Sequence, residues 1–232
     1  MTQNILKIEN LSLSFKDQDI LKNINLSLDL GERVSILGES GSGKSSLLRC
    51  IAGFENINKG KISLKNEIVS SETFMLPTEK RGVGMVVQEK ALFPHLTVKK
   101  NILFGIESNS NKNEIVSELA ELFKIEKLLD KLPGQISGGE QQRVAFARSL
   151  APSPSLLMLD EPFSALDDKL KQELYYELDK IFEKQELSIL LVTHDREEAQ
   201  ILTPRSLKLS QGSLSLTTVS YTHLRAHETE LH

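Results

Sequence analysis

The sequence predicts an α/β fold built on a mostly parallel sheet. Three observations carry this. Val34 to Leu37 is a short apolar run that ends in a glycine-rich turn, and 45–51 continues with helical character, so strand, turn and helix follow one another. The runs at 83–87, 156–159 and 189–192 are apolar without alternation, the pattern of strands buried on both faces. Leu170, Leu174, Leu178 and Ile181 recur at helical spacing between the last two of these runs.

The remaining elements follow in order. Ile5, Leu6 and Ile8, then Leu11, Leu13 and Phe15, read as two short alternating strands, and Ile24, Leu26, Leu28 and Leu30 as a third. These half-buried strands are expected to be antiparallel. From 89 to about 150 the pattern turns helical: Ile115, Leu119 and Leu122 share a helix face, and Leu128, Leu129 and Leu132 extend or follow it. Residues 109–113 (NSNKN) read as a loop. The expected division is therefore residues 1–216 as one domain carrying a helical insertion at 89–150, with 217–232 as an irregular tail.

With 232 residues, 39% hydrophobic and 26% charged, the chain is an ordinary globular one. Its net charge of −4 argues against bulk attraction to nucleic acid. The single cysteine, Cys50, cannot form an internal disulfide and gives no sign of secretion. It reads as a packing residue on the helix after the glycine-rich turn. The N-terminus shows no signal-peptide pattern, and no apolar run approaches the ~18 residues of a membrane span.

The glycine-rich turn is Gly38-Glu39-Ser40-Gly41-Ser42-Gly43-Lys44-Ser45, followed by Ser46. It satisfies G-x-x-x-x-G-K-[ST], the phosphate-binding loop. The glycines let successive backbone N–H groups point into one concavity, and the following helix adds its positive end. Lys44 can reach β- and γ-phosphates, and the Ser45 hydroxyl can ligate Mg2+. A second motif is LLMLDE at 156–161, where a buried strand runs into Asp160 and Glu161. Asp160 suits a Mg2+ site and Glu161 can orient or deprotonate an attacking water. Standing alone, the pair could equally be two solvated carboxylates. The third motif is ISGGEQQR at 136–143. Ser137 and Glu140 have capping-box spacing, and Gly138 and Gly139 weaken the helix start unless a ligand must approach closely.

Together these residues resemble the ATPase subunits of ABC transporters, over 5–216 and with the motifs in the family's order. The resemblance implies a P-loop NTPase (RecA-like) core, an N-terminal antiparallel β subdomain and a helical insertion subdomain. It implies ATP and Mg2+ as ligands. It assigns Phe15 to the adenine ring, where the family more often has Tyr; a core Phe is the competing reading. Gln88 matches the loop that contacts Mg2+ and couples to membrane subunits. Ser137, Gly138, Gly139 and Glu140 match the signature loop, which closes over ATP held by the opposite subunit. Asp167 matches the loop that lies across that dimer, and His194 the histidine that contacts the γ-phosphate. The implied partners are membrane permease subunits, a second identical or paired ATPase subunit, and a substrate-binding protein, with no nucleic acid. The implied location is the inner face of the cell membrane, reached from the cytoplasm. Residues 76–88 (LPTEKRGVGMVVQ) and 91–98 (ALFPHLTV) resemble importers of the iron(III), spermidine/putrescine, molybdate and sulfate group, iron(III) being slightly favoured. His95, within the second segment, is assigned no chemistry.

Other readings compete. A soluble ABC-type ATPase of translation or DNA repair would usually carry two ATPase units or large insertions. A P-loop kinase leaves residues 137–140 and His194 without a role. Relatives in the importer group often carry a further β-rich domain, so the chain is expected to be either a short form or truncated. The tail holds His223, His227 and His232, but Leu231 breaks an H-E-x-x-H match begun at His227. Residues 219–229 read like translated adapter sequence, which would make the tail non-native.

Overall fold

The computed structural model describes residues 4–16, 18–88, 91–106 and 111–216. The expected tail and its histidines lie outside them, as do Glu89, Lys90 and most of the polar stretch before Asn111.

Two sheets organise the described residues. Strands β1 (Asn4–Phe15) and β2 (Gln18–Asp29) form a hairpin, and β4 (Lys59–Leu64) and β5 (Glu67–Ser71) extend it in the order β2-β1-β4-β5, every pairing antiparallel. The second sheet has six strands in the order β10-β9-β3-β8-β7-β6. Here β3 (Arg33–Leu37), β6 (Val83–Val86), β7 (Leu156–Asp160), β8 (Ile189–Thr193) and β9 (Arg205–Ser210) run parallel, and β10 (Ser213–Leu216) closes one edge antiparallel.

The strand sequences explain the layering. Successive side chains of a strand face opposite sides. Leu156 and Met158 of β7, with Leu190 and Val192 of β8, enter one core, shared with the antiparallel sheet and α1 (Lys44–Ala52). Leu157, Leu159, Ile189 and Leu191 enter the other core, shared with α4 (Gly138–Leu150) and α5 (Asp168–Lys184). A strand apolar at every position is thus what a sheet covered on both faces requires.

Several boundaries differ from the sequence reading. The two N-terminal runs form a single twelve-residue strand. Asn10 sits at φ 53, and the β1–β2 register shifts between Ile8 and Leu11, so a bulge resets the alternation in mid-strand. Leu30 lies beyond β2 and is exposed, so it belongs to the turn. In the helical segment, α2 (Val98–Leu103) precedes α3 (Lys112–Leu122). Asn111 is the N-cap of α3, so Lys112 and Asn113 are helical and not loop. Leu128 ends a separate short 3-10 turn at Glu126–Leu128, and α3 does not reach it.

Arg81 is a buried cation whose partners are all neutral. Its guanidinium donates to the carbonyls of Cys50, Ile51, Val69 and Leu76 and to the Ser70 hydroxyl. It thereby satisfies carbonyls at the C-terminal end of α1, where the helix dipole favours a cation. Gly53 leaves room for it: a Cβ there would stand 2.5 Å from Arg81 Nε. Cys50 is fully buried on α1, and burial pushes its thiol up to about 12, so it is a packing residue and not a nucleophile.

Candidate functional site

Parallel strands present their carboxyl ends on one side of the sheet, and in open α/β sheets ligand sites form there. The register aligns Leu37 with Thr193, Val192 with Asp160, and Leu159 with Val86. The loops leaving β3, β8, β7 and β6 therefore emerge side by side. They carry residues 38–43, His194, Glu161 and Gln88 in that spatial order.

The loop after β3 is built as a cradle. Gly41 and Gly43 take φ 79 and 103, the left-handed region that glycine tolerates. A Cβ on Gly41 would meet nothing within 4 Å, so that side of the loop is open. A Cβ on Gly38 would meet the Leu209 carbonyl at 2.5 Å and Ser42 Oγ at 2.7 Å, so the loop root is closed-packed. The N-terminus of α1 has no side-chain cap and no acid in its first turn, leaving its N–H groups free for an anion. Ser42 Oγ is buried with no hydrogen-bond partner among the described residues. Lys44 is 5% exposed, and its ammonium donates to the carbonyls of Gly38 (2.8 Å) and Glu39 (3.0 Å). Glu39, Ser40 and Ser45 line the exposed rim, with Ser46 half-buried.

The acids stand across from this loop. Ser45 Oγ donates to Asp160 Oδ1 at 3.0 Å. Burial raises the Asp160 pKa, and the Ser45 hydrogen bond opposes it. A hydroxyl and a partly desolvated carboxylate joined in this way are hard oxygen donors that fit Mg2+. Glu161 adopts φ 44, a costly conformation for a residue with a side chain. Its N–H donates to the Val192 carbonyl, and its own carbonyl accepts from Ser164 N and Ser164 Oγ. So held, its carboxylate lies between two nitrogens: Oε1 is 3.3 Å from Lys44 Nζ, and Oε2 is 3.2 Å from His194 Nδ1.

The other sequence-predicted residues fall in two groups. Phe15 ends β1 and is 45% exposed, which excludes the core reading. Its hairpin is seated on the loop, since a Cβ on Gly43 would meet Leu21 Cδ2 at 3.0 Å and the Ile20 carbonyl at 3.1 Å. Gln88 is exposed just beyond β6. Ser137 and Glu140 form a full capping box at the start of α4: Ser137 Oγ accepts from Glu140 N (3.3 Å), and Glu140 Oε2 accepts from Ser137 N (2.7 Å). That box lowers the Glu140 pKa, chiefly through the backbone hydrogen bond. Asp167 caps α5 by accepting from Leu170 N at 3.0 Å. Among the described residues, the hydrogen bonds of residues 137–140 stay within the start of α4 and do not reach the phosphate-binding loop. Gly139 has a packing reason beyond ligand access, because its Cβ would meet Leu170 Cδ2 at 2.7 Å.

Two buried polar residues beside His194 carry no motif in the sequence. Thr193 ends β8, and Glu198 lies in the first turn of α6 (Arg196–Leu202). The only trace in the sequence is an acid three residues after the capping Asp195, which reads equally well as a solvated helix start.

A model of the ABC transporter family matches residues 21–164, more than half of the chain. The chain belongs to the ABC transporter family. It is 44% identical to the Fe(3+) ions import ATP-binding protein FbpC of Haemophilus influenzae (strain 86-028NP) over 214 residues, covering 90% of this chain and 61% of that protein. It is 44% identical to the spermidine/putrescine import ATP-binding protein PotA of Thermotoga maritima over 213 residues, covering 90% of this chain and 57% of that one. The chain thus spans about three-fifths of the length of these curated relatives. Among solved structures, the dimeric post-hydrolysis state of the ATP-binding cassette MJ0796 bound to ADP and Pi aligns at TM-score 0.76 with 31% identity, covering 90% of this chain and 96% of that one. The fold expected from the sequence is therefore that of an ABC ATPase cassette, with a mixed parallel sheet and an antiparallel β subdomain.

Proposed function

We propose that the chain is the ATP-hydrolysing unit of an ABC importer, and that two copies, or this chain and a homologue, enclose two ATP molecules between them. The observation that carries this is the placement of Glu161 between Lys44 and His194 at the carboxyl ends of the central strands. In this reading Lys44, the loop N–H groups and the open N-terminus of α1 hold the phosphates of ATP. Ser45 and Asp160, with Gln88, would hold Mg2+, which supplies charge neutralisation on the phosphate oxygens. Phe15 lies against adenine. Glu161 orients the attacking water and takes its proton as the new oxygen–phosphorus bond forms. The bond from the γ-phosphorus to the bridging oxygen breaks, leaving ADP and phosphate. His194 holds the γ-phosphate. The signature loop of the second copy, residues 137–140, closes over the nucleotide from outside, and Asp167 lies at the same interface.

Permease subunits and a substrate-binding protein would complete the importer, with the chain on the cytoplasmic face of the membrane. No described helix is long and apolar enough to cross a membrane. Iron(III) is the favoured cargo, supported by the identity to a protein named for Fe(3+) import. The test is deletion of the native gene with uptake of iron(III), spermidine, molybdate and sulfate measured in parallel. Loss of iron(III) uptake alone, restored by the intact gene but not by a Glu161→Gln copy, is expected. Unchanged uptake of all four would remove the importer reading.

A further inference from the structure

We propose that Glu198 is a positioning residue for His194, acting through the Thr193 hydroxyl. This rests on the reading of His194 as a γ-phosphate contact. The His194 side chain is 62% exposed, and its ring has one hydrogen-bonded neighbour among the described residues, Glu161. Its placement therefore depends on the backbone that carries it. That backbone is tied from below. Thr193 Oγ1 donates to Glu198 Oε2 at 2.7 Å and accepts from Asp195 N at 2.9 Å. One buried hydroxyl thus bridges across His194, with donor and acceptor both committed. Asp195 Oδ1 then accepts from Glu197 N and Glu198 N, joining the tie to the first turn of α6.

Burial suits Glu198 to this role as a neutral acid. It is 3% exposed, and its Oε1 is buried without a hydrogen-bond partner among the described residues. A carboxylate left with a bare, desolvated oxygen is costly, whereas a protonated acid still accepts from Thr193 through its carbonyl oxygen. Burial pushes Glu198 up to about 8, against the lowering effect of the Thr193 hydrogen bond. The Asp195 and Glu161 carboxylates push in the same direction as burial, and Lys171 opposes them. From α5, Tyr175 also faces this acidic group, its own pKa raised by burial and by Glu198, Asp195 and Glu197. Ionising Glu198 strengthens the Thr193 hydrogen bond itself but sets a negative charge beside Asp195 and Glu161 and leaves Oε1 bare, and in this proposal the repulsion and desolvation prevail and loosen the tie.

The test measures kcat and KM for ATP against pH for the parent, Glu198→Leu and Glu198→Gln. Leucine removes the acceptor, so kcat should fall about tenfold with KM unchanged, the signature of an interaction lost in the transition state. The amide imitates the neutral acid, so glutamine should restore kcat. The parent should lose about fivefold in kcat by about pH 9, one unit above the acid's pKa, nearing tenfold at higher pH, and the glutamine variant should lack this loss. A glutamine variant with the parent's alkaline fall, or a leucine variant with the parent's kcat, would overturn the proposal. If neither Glu198 variant folds, Thr193→Val decides: a tenfold lower kcat at unchanged KM supports the tie, and the parent's kcat refutes it. A parent that releases no phosphate at any pH removes the functional reading itself.

A second readout needs only folded protein. The unfolded glutamate has its ordinary pKa of 4.5 and the folded one about 8. The folded state therefore binds the extra proton between these values. The contribution is full below 4.5, is lost as pH rises, and is gone above about 8. The parent's Tm should lose ground to that of Glu198→Gln across this window. A constant difference between the two would also count against the neutral acid.

Discussion

Glu161→Gln is expected to slow ATP hydrolysis by roughly a hundredfold or more, the range for loss of a general base, while ATP affinity stays within a few-fold of the parent. The glutamate's backbone is fixed by Val192 and Ser164 and not by its own side chain, so the amide should occupy the same place. An amide oxygen can still face Lys44, but the group no longer takes a proton from water. The dimer closed on ATP should then accumulate, because the step that opens it is blocked. Gel filtration with ATP and Mg2+ should show a species of twice the parent mass. Hydrolysis at the parent rate would move the base elsewhere.

Lys44→Ala should act earlier, on binding. Lys44 is 5% exposed, and its ammonium is held at the loop by the carbonyls of Gly38 and Glu39. A hydrogen bond to a charged group contributes about 1.5–3 kcal/mol, so losing one or two to phosphate oxygens should weaken ATP binding roughly a hundredfold. Calorimetric titration with ATP measures this directly. Unchanged affinity would mean that the loop does not hold the nucleotide through this side chain.

The contrast between these residues and Glu198 shows what the sequence makes legible. Lys44, Ser45, Asp160 and Glu161 sit in short motifs whose chemistry depends on neighbours along the chain, and the strands before them are apolar throughout. Glu198 and Arg81 owe their importance to partners distant in sequence or to a fold in the backbone. Within their own polar surroundings, REEA and EKRG, they look like solvated charges. Strands β4 and β5 are not legible for a related reason: KGKISL and EIVSS are exposed or half-buried at half or more of their positions, and their pattern is set by the sheet they join. The alternation of β1 was visible, but its continuity was not, because the bulge at Asn10 imitates a strand end. Gly139 was read as clearance for a ligand, whereas the fold shows that Leu170 also needs the space.

Each loop-bound nucleotide is expected to be hydrolysed only when the signature loop of a second subunit covers it. This is tested most directly by the initial rate of phosphate release from ATP and Mg2+ as the purified chain is diluted. The rate is expected to fall with the square of protein concentration in the dilute range. A rate that stays proportional to concentration down to the lowest measurable level, or no release at any concentration, would contradict it.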